Sequence, residues 1–221
     1  MEDGKVMINI IYEDNHVLVV EKPVNIPVQK DNSNDISLLE ILKNYLKEKY
    51  NKTGNVYLGL VHRLDRPVGG VMVFAKTSKA ASRLSNQVRN RTLKKTYIAV
   101  VKGKVPENGT LSDKLLKNTK TNIVTVSSKG KDAKLNYELL KYKDNLSLVT
   151  INLETGRPHQ IRVQFSSRNY PLIGDQKYGK NMPKVPIALF SKKLEFIHPT
   201  TKETMTFELE MPKRYPFNVF D

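Results

Sequence analysis

Short apolar runs separated by polar turn clusters characterise the first fifty residues. Residues 7–12 and 17–20 are β-type runs, so the pattern predicts two strands at the start of the chain. Farther on, Ser37 and Glu40 have the spacing of a capping box, and apolar residues follow them at helical spacing. These features predict an amphipathic helix over residues 37–50.

The rest of the chain continues to alternate between β-type and helical patterns. A second helix is predicted from Thr77 or Ser78, either of which can cap its start, to about Arg91. Lys114, Lys117 and Lys120 fall in a polar, basic run that we interpret as a mobile loop facing a binding partner. The remaining predicted strands are 93–101, several segments within 109–153, and a closing hairpin formed by 194–199 and 205–209.

Charge narrows the classes of partner. The chain has 221 residues and a formal net charge of +15, and an excess of this size points to nucleic acid or an anionic membrane surface. A basic chain that is merely soluble is the alternative that charge alone leaves open.

There are no cysteines, which excludes disulfides, thiolate metal ligands and a cysteine nucleophile. No apolar run approaches the roughly 20 residues of a membrane span, and the first residues do not resemble a signal peptide, so we expect a cytoplasmic protein without membrane attachment.

The stretch from His62 to Gly70 is the first block that carries candidate chemistry. Apolar β-prone runs at 56–61 and 71–75 enclose it, which predicts strand, loop and strand. Inside the loop, the single carboxylate of Asp65 lies between two arginines. By itself this residue could be only a turn residue or half of a surface ion pair.

A second block runs from Thr155 to Arg162. Gly156 suits a tight turn from a strand into a helix, and Pro158 suits the first helical position. Ile161 and Phe165 would then lie one turn apart and face the core.

Together these blocks resemble the RluA family of pseudouridine synthases. The family signature is His-Arg-Leu-Asp, two variable residues and Thr-Ser-Gly, whereas this chain has Val68, Gly69 and Gly70 at the last three positions. The two missing hydroxyls leave the local hydrogen bonding of the loop open. The family's order is also followed by the segment 12–23 and by three further blocks, which are 95–97, 155–162, and 174–179.

This resemblance implies the fold and the domain organisation. It implies an α+β pseudouridine synthase catalytic domain, with a mixed and largely antiparallel sheet flanked by helices and loops. We expect this domain over residues 8–215, with 1–7 and 216–221 as terminal extensions. We also expect it to stand alone, without the small N-terminal RNA-binding domain that many relatives carry.

The resemblance also implies three catalytic residues. Asp65 matches the family's aspartate and is expected to be the nucleophile; whether it attacks the ribose, attacks the uracil ring or abstracts a ribose proton stays open. Arg162 matches the arginine that pairs with this carboxylate, and Tyr97 matches the active-site tyrosine, which can stack on uracil and move a proton. Without the resemblance, Arg162 could be an arginine bridging any nearby acid, and Tyr97 a core residue.

Five further residues are expected to contact RNA. Arg63 matches the position that fills the space left by the flipped base, although a phosphate clamp is its alternative. The other four are Arg66, Arg157, His62 and Lys95. We interpret His62 and His159 as hydrogen-bonded scaffolding of the two loops, and Asp175 as a residue that holds a turn. No cofactor is expected, and four histidines without a spaced acidic cluster argue against a metal site.

Two functions remain in competition. The first is isomerisation of uridine to pseudouridine in structured RNA, tRNA or ribosomal RNA, by a protein we expect to be monomeric. The second is a non-catalytic RNA-binding module or RNA chaperone on the same scaffold, which the charge fits equally well. A nuclease or deaminase is set aside because the sequence lacks the metal-ligand clusters that such enzymes use.

Overall fold

The computed structural model describes residues 6–221, which form two compact units. The first unit takes in the described residues up to Leu93 together with Lys193–Leu209, and the second takes in Lys94–Lys192 and Glu210–Asp221. The strands are β1 (Asn9–Glu13), β2 (Val17–Lys22), β3 (Gly59–Leu60), β4 (Gly69–Ala75), β5 (Lys94–Lys102), β6 (Asn108–Asn118), β7 (Ile123–Val126), β8 (Lys131–Lys143), β9 (Leu146–Leu153), β10 (Leu189–Ile197) and β11 (Thr204–Glu208). The helices are α1 (Leu38–Lys49), α2 (Ser78–Arg89) and α3 (Gln160–Ser166), and a 3₁₀ turn covers Phe217–Phe220.

An antiparallel sheet packed against α2 forms the core of the first unit. β2 lies between β1 and β4, β3 also pairs with β4, and β10 forms the predicted closing hairpin with β11. Every residue of β4 is buried, and its Val71 and Val73 pack with Leu84 of α2. A fully apolar strand buried on both faces gives the loop that precedes it a rigid base.

The two predicted helices of the first unit are confirmed, with small changes at their ends. The Ser37 side chain accepts the N–H of Glu40 while the Glu40 carboxylate accepts the N–H of Ser37, as a capping box requires. Thr77 caps α2. This helix ends at Arg89 rather than near Arg91, which has a positive φ of 60° and so cannot continue a right-handed helix.

The second unit is an antiparallel sheet with α3 packed on one face. The strand order within this unit is β5-β9-β8-β6-β7. Phe165 of α3 meets Tyr137 of β8 edge-on, with ring centroids 5.3 Å apart. Val163 packs against Leu115 and Val124 in a separate apolar cluster. These contacts fix α3 against the sheet, and α3 carries Arg162.

Three sequence predictions of local structure are wrong. Lys114 and Lys117 lie on β6 rather than in a loop, and of the three lysines Lys120 alone lies in the turn that follows. The strand forms because it pairs with β8 and buries Leu111 and Leu115 in the core. The strand expected over residues 56–61 is reduced to β3. The third helix begins at Gln160, not at Pro158, because His159 has left-handed φ and ψ of 51° and 20°.

The predicted α+β class is confirmed by the eleven strands of the described residues, whose pairs within each unit are antiparallel, and by the three helices. Within residues 6–221, no helix is long and apolar enough to cross a membrane. The prediction of one catalytic domain over 8–215 stays a prediction.

Candidate active site

Asp65 lies in the loop that joins β3 to β4. The N–H of Val68 donates to the carbonyl oxygen of Asp65 over 2.9 Å, which closes a tight turn. Leu64 and Val68 are buried on either side of the turn, whereas Asp65 is only partly buried. The buried side chains of Leu64 and Val68 therefore fix the turn against the core, and the Asp65 carboxylate stays partly exposed.

A buried lysine fixes the same loop from below. Lys22, at the end of β2, is 1% exposed, and its Nζ donates to the carbonyl oxygens of Pro23 (2.9 Å), Arg66 (2.9 Å) and Val68 (2.7 Å). Three acceptors match the three donors of an ammonium group. Burial lowers the pKa of Lys22 to about 7, while the Asp65 carboxylate acts to raise it and the Arg66 guanidinium to lower it. The main chain on both sides of Pro67 is thus held by one side chain.

Sequence reasoning missed Lys22. A signal was present, because Lys22 lies on the same face of its strand as the apolar Leu18 and Val20 and directly precedes a proline. Its partners could not have been read from the sequence, since two of the three are main-chain oxygens more than forty residues away.

His62 contributes a second contact between the loop and β4. It is buried, and its Nε2 accepts the N–H of Val73 over 3.1 Å. The prediction that His62 is hydrogen-bonded scaffolding is confirmed by this bond. Its expected contact with RNA stays a prediction.

The two arginines beside Asp65 have different surroundings. Arg63 is exposed, and among the described residues its Nη1 makes only a long 3.4 Å hydrogen bond to Gln29. Arg66 is held by the segment before α1, where it donates to Ser33 over 2.9 Å and pairs with Asp31 and Asp35. Arg63 can therefore change position at little cost, whereas Arg66 would have to leave two carboxylates in order to bind RNA.

The residues that depart from the family signature belong to the interior of the loop. The Val68 carbonyl is one of the three that Lys22 holds, and this contact does not depend on the side chain at position 68. A Cβ added to Gly69 would lie 3.1 Å from the carbonyl oxygen of Lys22. Gly70 has a φ of 122°, which side-chain-bearing residues rarely adopt. The glycine pair therefore serves the backbone path of the loop.

In the second unit, Arg162 is fixed by a buried carboxylate. Its Nε and Nη2 each donate to Asp175 over 2.8 Å, and the Arg162 and Asp175 side chains are 7% and 1% exposed. The Arg162 guanidinium also lies 5.1 Å from the centroid of the Tyr178 ring. Asp65 belongs to the other unit, so the expected pairing of Arg162 with Asp65 stays a prediction.

Asp175 does more than the sequence predicted. Its Oδ1 accepts the N–H groups of Lys177 and Tyr178, which confirms that it holds a turn. The same carboxylate makes the bidentate pair with Arg162, a role that sequence reasoning did not assign. Removing one partner of a buried pair leaves an uncompensated charge, so each of the two residues depends on the other.

His159 and Tyr178 connect this pair to the neighbouring strand. His159 Nδ1 and the Tyr178 hydroxyl are hydrogen-bonded at 2.6 Å, and the same hydroxyl accepts the N–H of Val124 on β7. The hydrogen-bonded scaffolding predicted for His159 is confirmed. The ring that faces Arg162 is therefore itself fixed at both sides of its hydroxyl group.

Tyr97 and Lys95 share one face of β5, because alternate residues of a strand point to the same side. Tyr97 is buried and stands opposite Ile151 of β9. The Lys95 Nζ lies beside Gly156, in the turn before α3. Arg157, the next residue, donates from Nε to the carbonyl oxygen of Asp132 over 2.8 Å. The strand and the turn thus bring the expected tyrosine, Lys95 and Arg157 into the same unit.

Within residues 6–221, no group of three or more histidine, aspartate or glutamate side chains is arranged to hold a metal ion.

Comparison with known proteins assigns the chain to a family. The RNA pseudouridylate synthase family profile matches residues 16–167. An RNA pseudouridine synthase of Aquifex aeolicus is 35% identical over 94% of this chain and 71% of its own length. Ribosomal large subunit pseudouridine synthase D of Nitrosomonas europaea is 33% identical over 93% of this chain and 62% of its own length. The chain belongs to the RNA pseudouridylate synthase family, and the predicted resemblance is confirmed.

Solved structures agree on the fold. Human RNA pseudouridylate synthase domain containing 4 has a TM-score of 0.78 and 21% identity, covering 93% of this chain and 89% of that one. Human RNA pseudouridylate synthase domain containing 1 has a TM-score of 0.77 and 23% identity, covering 96% and 87%. The activity of the family is that of an isomerase acting on uridine in RNA, so RNA is the partner of this class of protein.

Proposed function

We propose that this chain isomerises specific uridines in structured RNA, ribosomal RNA or tRNA, with Asp65 as the nucleophile. The observation that carries the proposal is the Asp65 turn, in which a partly exposed carboxylate is held by a buried lysine through the main chain. The Nitrosomonas relative is named as a ribosomal large subunit enzyme, which supports ribosomal RNA as one substrate.

The chemistry needs no redox or group-transfer partner. The bond between uracil N1 and ribose C1′ breaks, a bond between C5 and C1′ forms, C5 loses its proton and N1 gains one. A carboxylate beside the sugar can act as a nucleophile in such a reaction. We therefore propose that the reaction proceeds without a cofactor or a metal, with Arg162 pairing with Asp65 and Tyr97 stacking on the uracil.

The target base must leave its stack before Asp65 can reach it, at a cost of a few kcal/mol. We assign the vacated space to Arg63, because it lies two residues before Asp65, is exposed and, within residues 6–221, has a single long hydrogen bond to give up. Arg66, Arg157, His62 and Lys95 complete the proposed RNA contacts. We further propose that the enzyme is a monomer and acts in the cytoplasm; sedimentation of the free protein and fractionation of cells test these two points.

The first experiment compares the parent protein with Asp65→Asn. Unmodified tRNA and ribosomal RNA transcripts are incubated with each protein and digested to nucleosides, and pseudouridine is quantified by chromatography and mass spectrometry. Pseudouridine should form with the parent and not with Asp65→Asn, while the RNA affinities of the two remain within about twofold, because the substitution keeps the shape of the side chain. The exposed Asp132 provides a matched control, and Asp132→Asn should behave as the parent does.

Near-normal turnover by Asp65→Asn would contradict the assignment of the nucleophile. If neither protein forms pseudouridine on any transcript although both fold and bind RNA, the non-catalytic RNA-binding module or RNA chaperone becomes the better description of this chain.

A further inference from the structure

Lys95 is an ammonium group without a partner among residues 6–221. It is partly buried on β5, and within residues 6–221 its Nζ makes neither a hydrogen bond nor an ion pair. Burial lowers the pKa of Lys95 below its usual range. Lys22 provides the contrast, because each of the three donors of its buried ammonium group has a carbonyl acceptor. A desolvated cation with no such acceptor is costly unless a ligand supplies one.

Two other donors without an acceptor among residues 6–221 belong to the turn beside Lys95, those of Gly156 and Arg157. Gly156 is exposed in the turn before α3, and its N–H has no acceptor among the described residues. Arg157 is held at Nε by the Asp132 carbonyl, so its guanidinium is fixed in place while both Nη groups lack acceptors in the same part of the chain. The turn that packs against the Lys95 ammonium therefore also offers one main-chain N–H and one anchored guanidinium.

The absence of a side chain at position 156 is part of this arrangement. A Cβ built on Gly156 would lie 3.2 Å from Lys95 Nζ, closer than nearly all real Cβ contacts. Gly156 has no positive φ, so its backbone conformation does not itself require glycine. A side chain at position 156 would therefore crowd the Lys95 ammonium against the turn.

These donors define the chemistry of the ligand. They carry two positive charges, and within residues 6–221 neither Lys95 nor Arg157 is paired with a carboxylate. A phosphodiester suits them, because phosphate oxygens accept from lysine, arginine and main-chain N–H groups alike. Tyr97 lies two residues along the same face of β5, about 7 Å away, which is on the scale of a single nucleotide.

We propose that Lys95, Gly156 and Arg157 form a binding site for one backbone phosphate of RNA, at or next to the nucleotide that Tyr97 contacts. That this nucleotide is the target uridine rests on the proposed function. The binding of a phosphate does not itself depend on catalysis, so it can be measured separately.

The test measures the salt dependence of RNA binding for the parent and for Lys95→Gln, with a tRNA transcript as the probe. Loss of one phosphate contact should reduce the slope of log affinity against log salt by about 0.7–0.9 and weaken binding about five- to tenfold at low salt. Lys102 is an exposed lysine at the far end of the same strand, and Lys102→Gln should leave the slope nearly unchanged.

Gly156→Ala is an independent variant, because its Cβ would push the Lys95 ammonium aside by a few tenths of an ångström while both charges remain. It should reduce the slope in the same direction as Lys95→Gln but by less, and the double variant should lose no more than Lys95→Gln alone. Once the modified uridine is mapped, single uncharged methylphosphonates are placed around it. One position should weaken the parent five- to tenfold and leave Lys95→Gln unaffected.

Equal salt slopes for the parent, Lys95→Gln and Gly156→Ala would overturn the phosphate site, even if the parent makes pseudouridine. Equal sensitivity of the parent and Lys95→Gln to every methylphosphonate would do the same. If the parent makes no pseudouridine but the slopes differ as expected, the phosphate site stands and the proposed isomerase activity falls.

Discussion

The loop that carries Asp65 and the segment that carries Arg162 are both held firmly, but by different kinds of contact. In the loop, Lys22 donates to main-chain oxygens at positions 66 and 68, and His62 accepts a main-chain N–H from Val73. Arg162 is instead held by side chains, the carboxylate of Asp175 and the ring of Tyr178.

This difference determines which substitutions each region tolerates. Contacts to the main chain constrain its path and leave the identity of the contacted residue free, apart from positions such as Gly70 whose φ demands glycine. Val68 and Gly69 can therefore replace the Thr-Ser of the family signature without removing a contact that Lys22 makes. Contacts between side chains constrain identity directly, so Asp175 and Arg162 cannot vary independently.

The strongest test of this comparison is Asp175→Ala. The substitution leaves a buried guanidinium unpaired and removes the oxygen that accepts two N–H groups of the following turn. The free energy of unfolding, measured by urea denaturation, should therefore fall by about 4 kcal/mol. Asp132→Ala, at an exposed site in the same unit, should change it by less than about 0.5 kcal/mol. A loss below about 1 kcal/mol for Asp175→Ala would show that Arg162 is held mainly by something else.

Lys22→Met tests the contacts to the main chain. Three carbonyl oxygens lose their donor, while removal of a buried charge offsets part of that loss, so unfolding should become easier by about 2 kcal/mol. Because the Asp65 turn loses its support, the rate of pseudouridine formation should fall about 100-fold. The matched control is Lys30→Met, at an exposed lysine of the same unit, which should match the parent in both measurements.

The pH dependence of stability sharpens the contrast. With a folded-state pKa near 7 and an ordinary lysine pKa of about 10.4 in the unfolded chain, folded Lys22 binds fewer protons between these values. Its contribution to the free energy of unfolding should therefore increase as pH rises from 7 to about 10, by at most about 1.4 kcal/mol per unit. The measurement is the difference between the parent and Lys22→Met at each pH. A flat difference would mean that its three acceptors keep Lys22 charged throughout this range.

Local patterns determined much of the fold. The capping box at Ser37, the cap at Thr77 and the closing hairpin depend on neighbours in sequence or on simple alternation, and the structure has all three. The basic run at Lys114 misled because lysine frequency suggested a loop, whereas the burial of Leu111 and Leu115 against partners far along the chain made it a strand. The start of α3 was misplaced because the left-handed conformation of His159 follows from its place in the fold.

For the site, the sequence by itself determined the family and the residues that match its motifs, because those motifs are short and contiguous. It did not reveal how these residues are held. From the sequence, Lys22 is a lysine before a proline and Asp175 is a turn residue. In the fold, Lys22 binds the carbonyl of Val68, 46 residues away, and Asp175 binds Arg162, 13 residues away. Burial removes water as an alternative partner, so only the tertiary structure could decide that a lysine would bind three carbonyl groups and that an aspartate would neutralise an arginine.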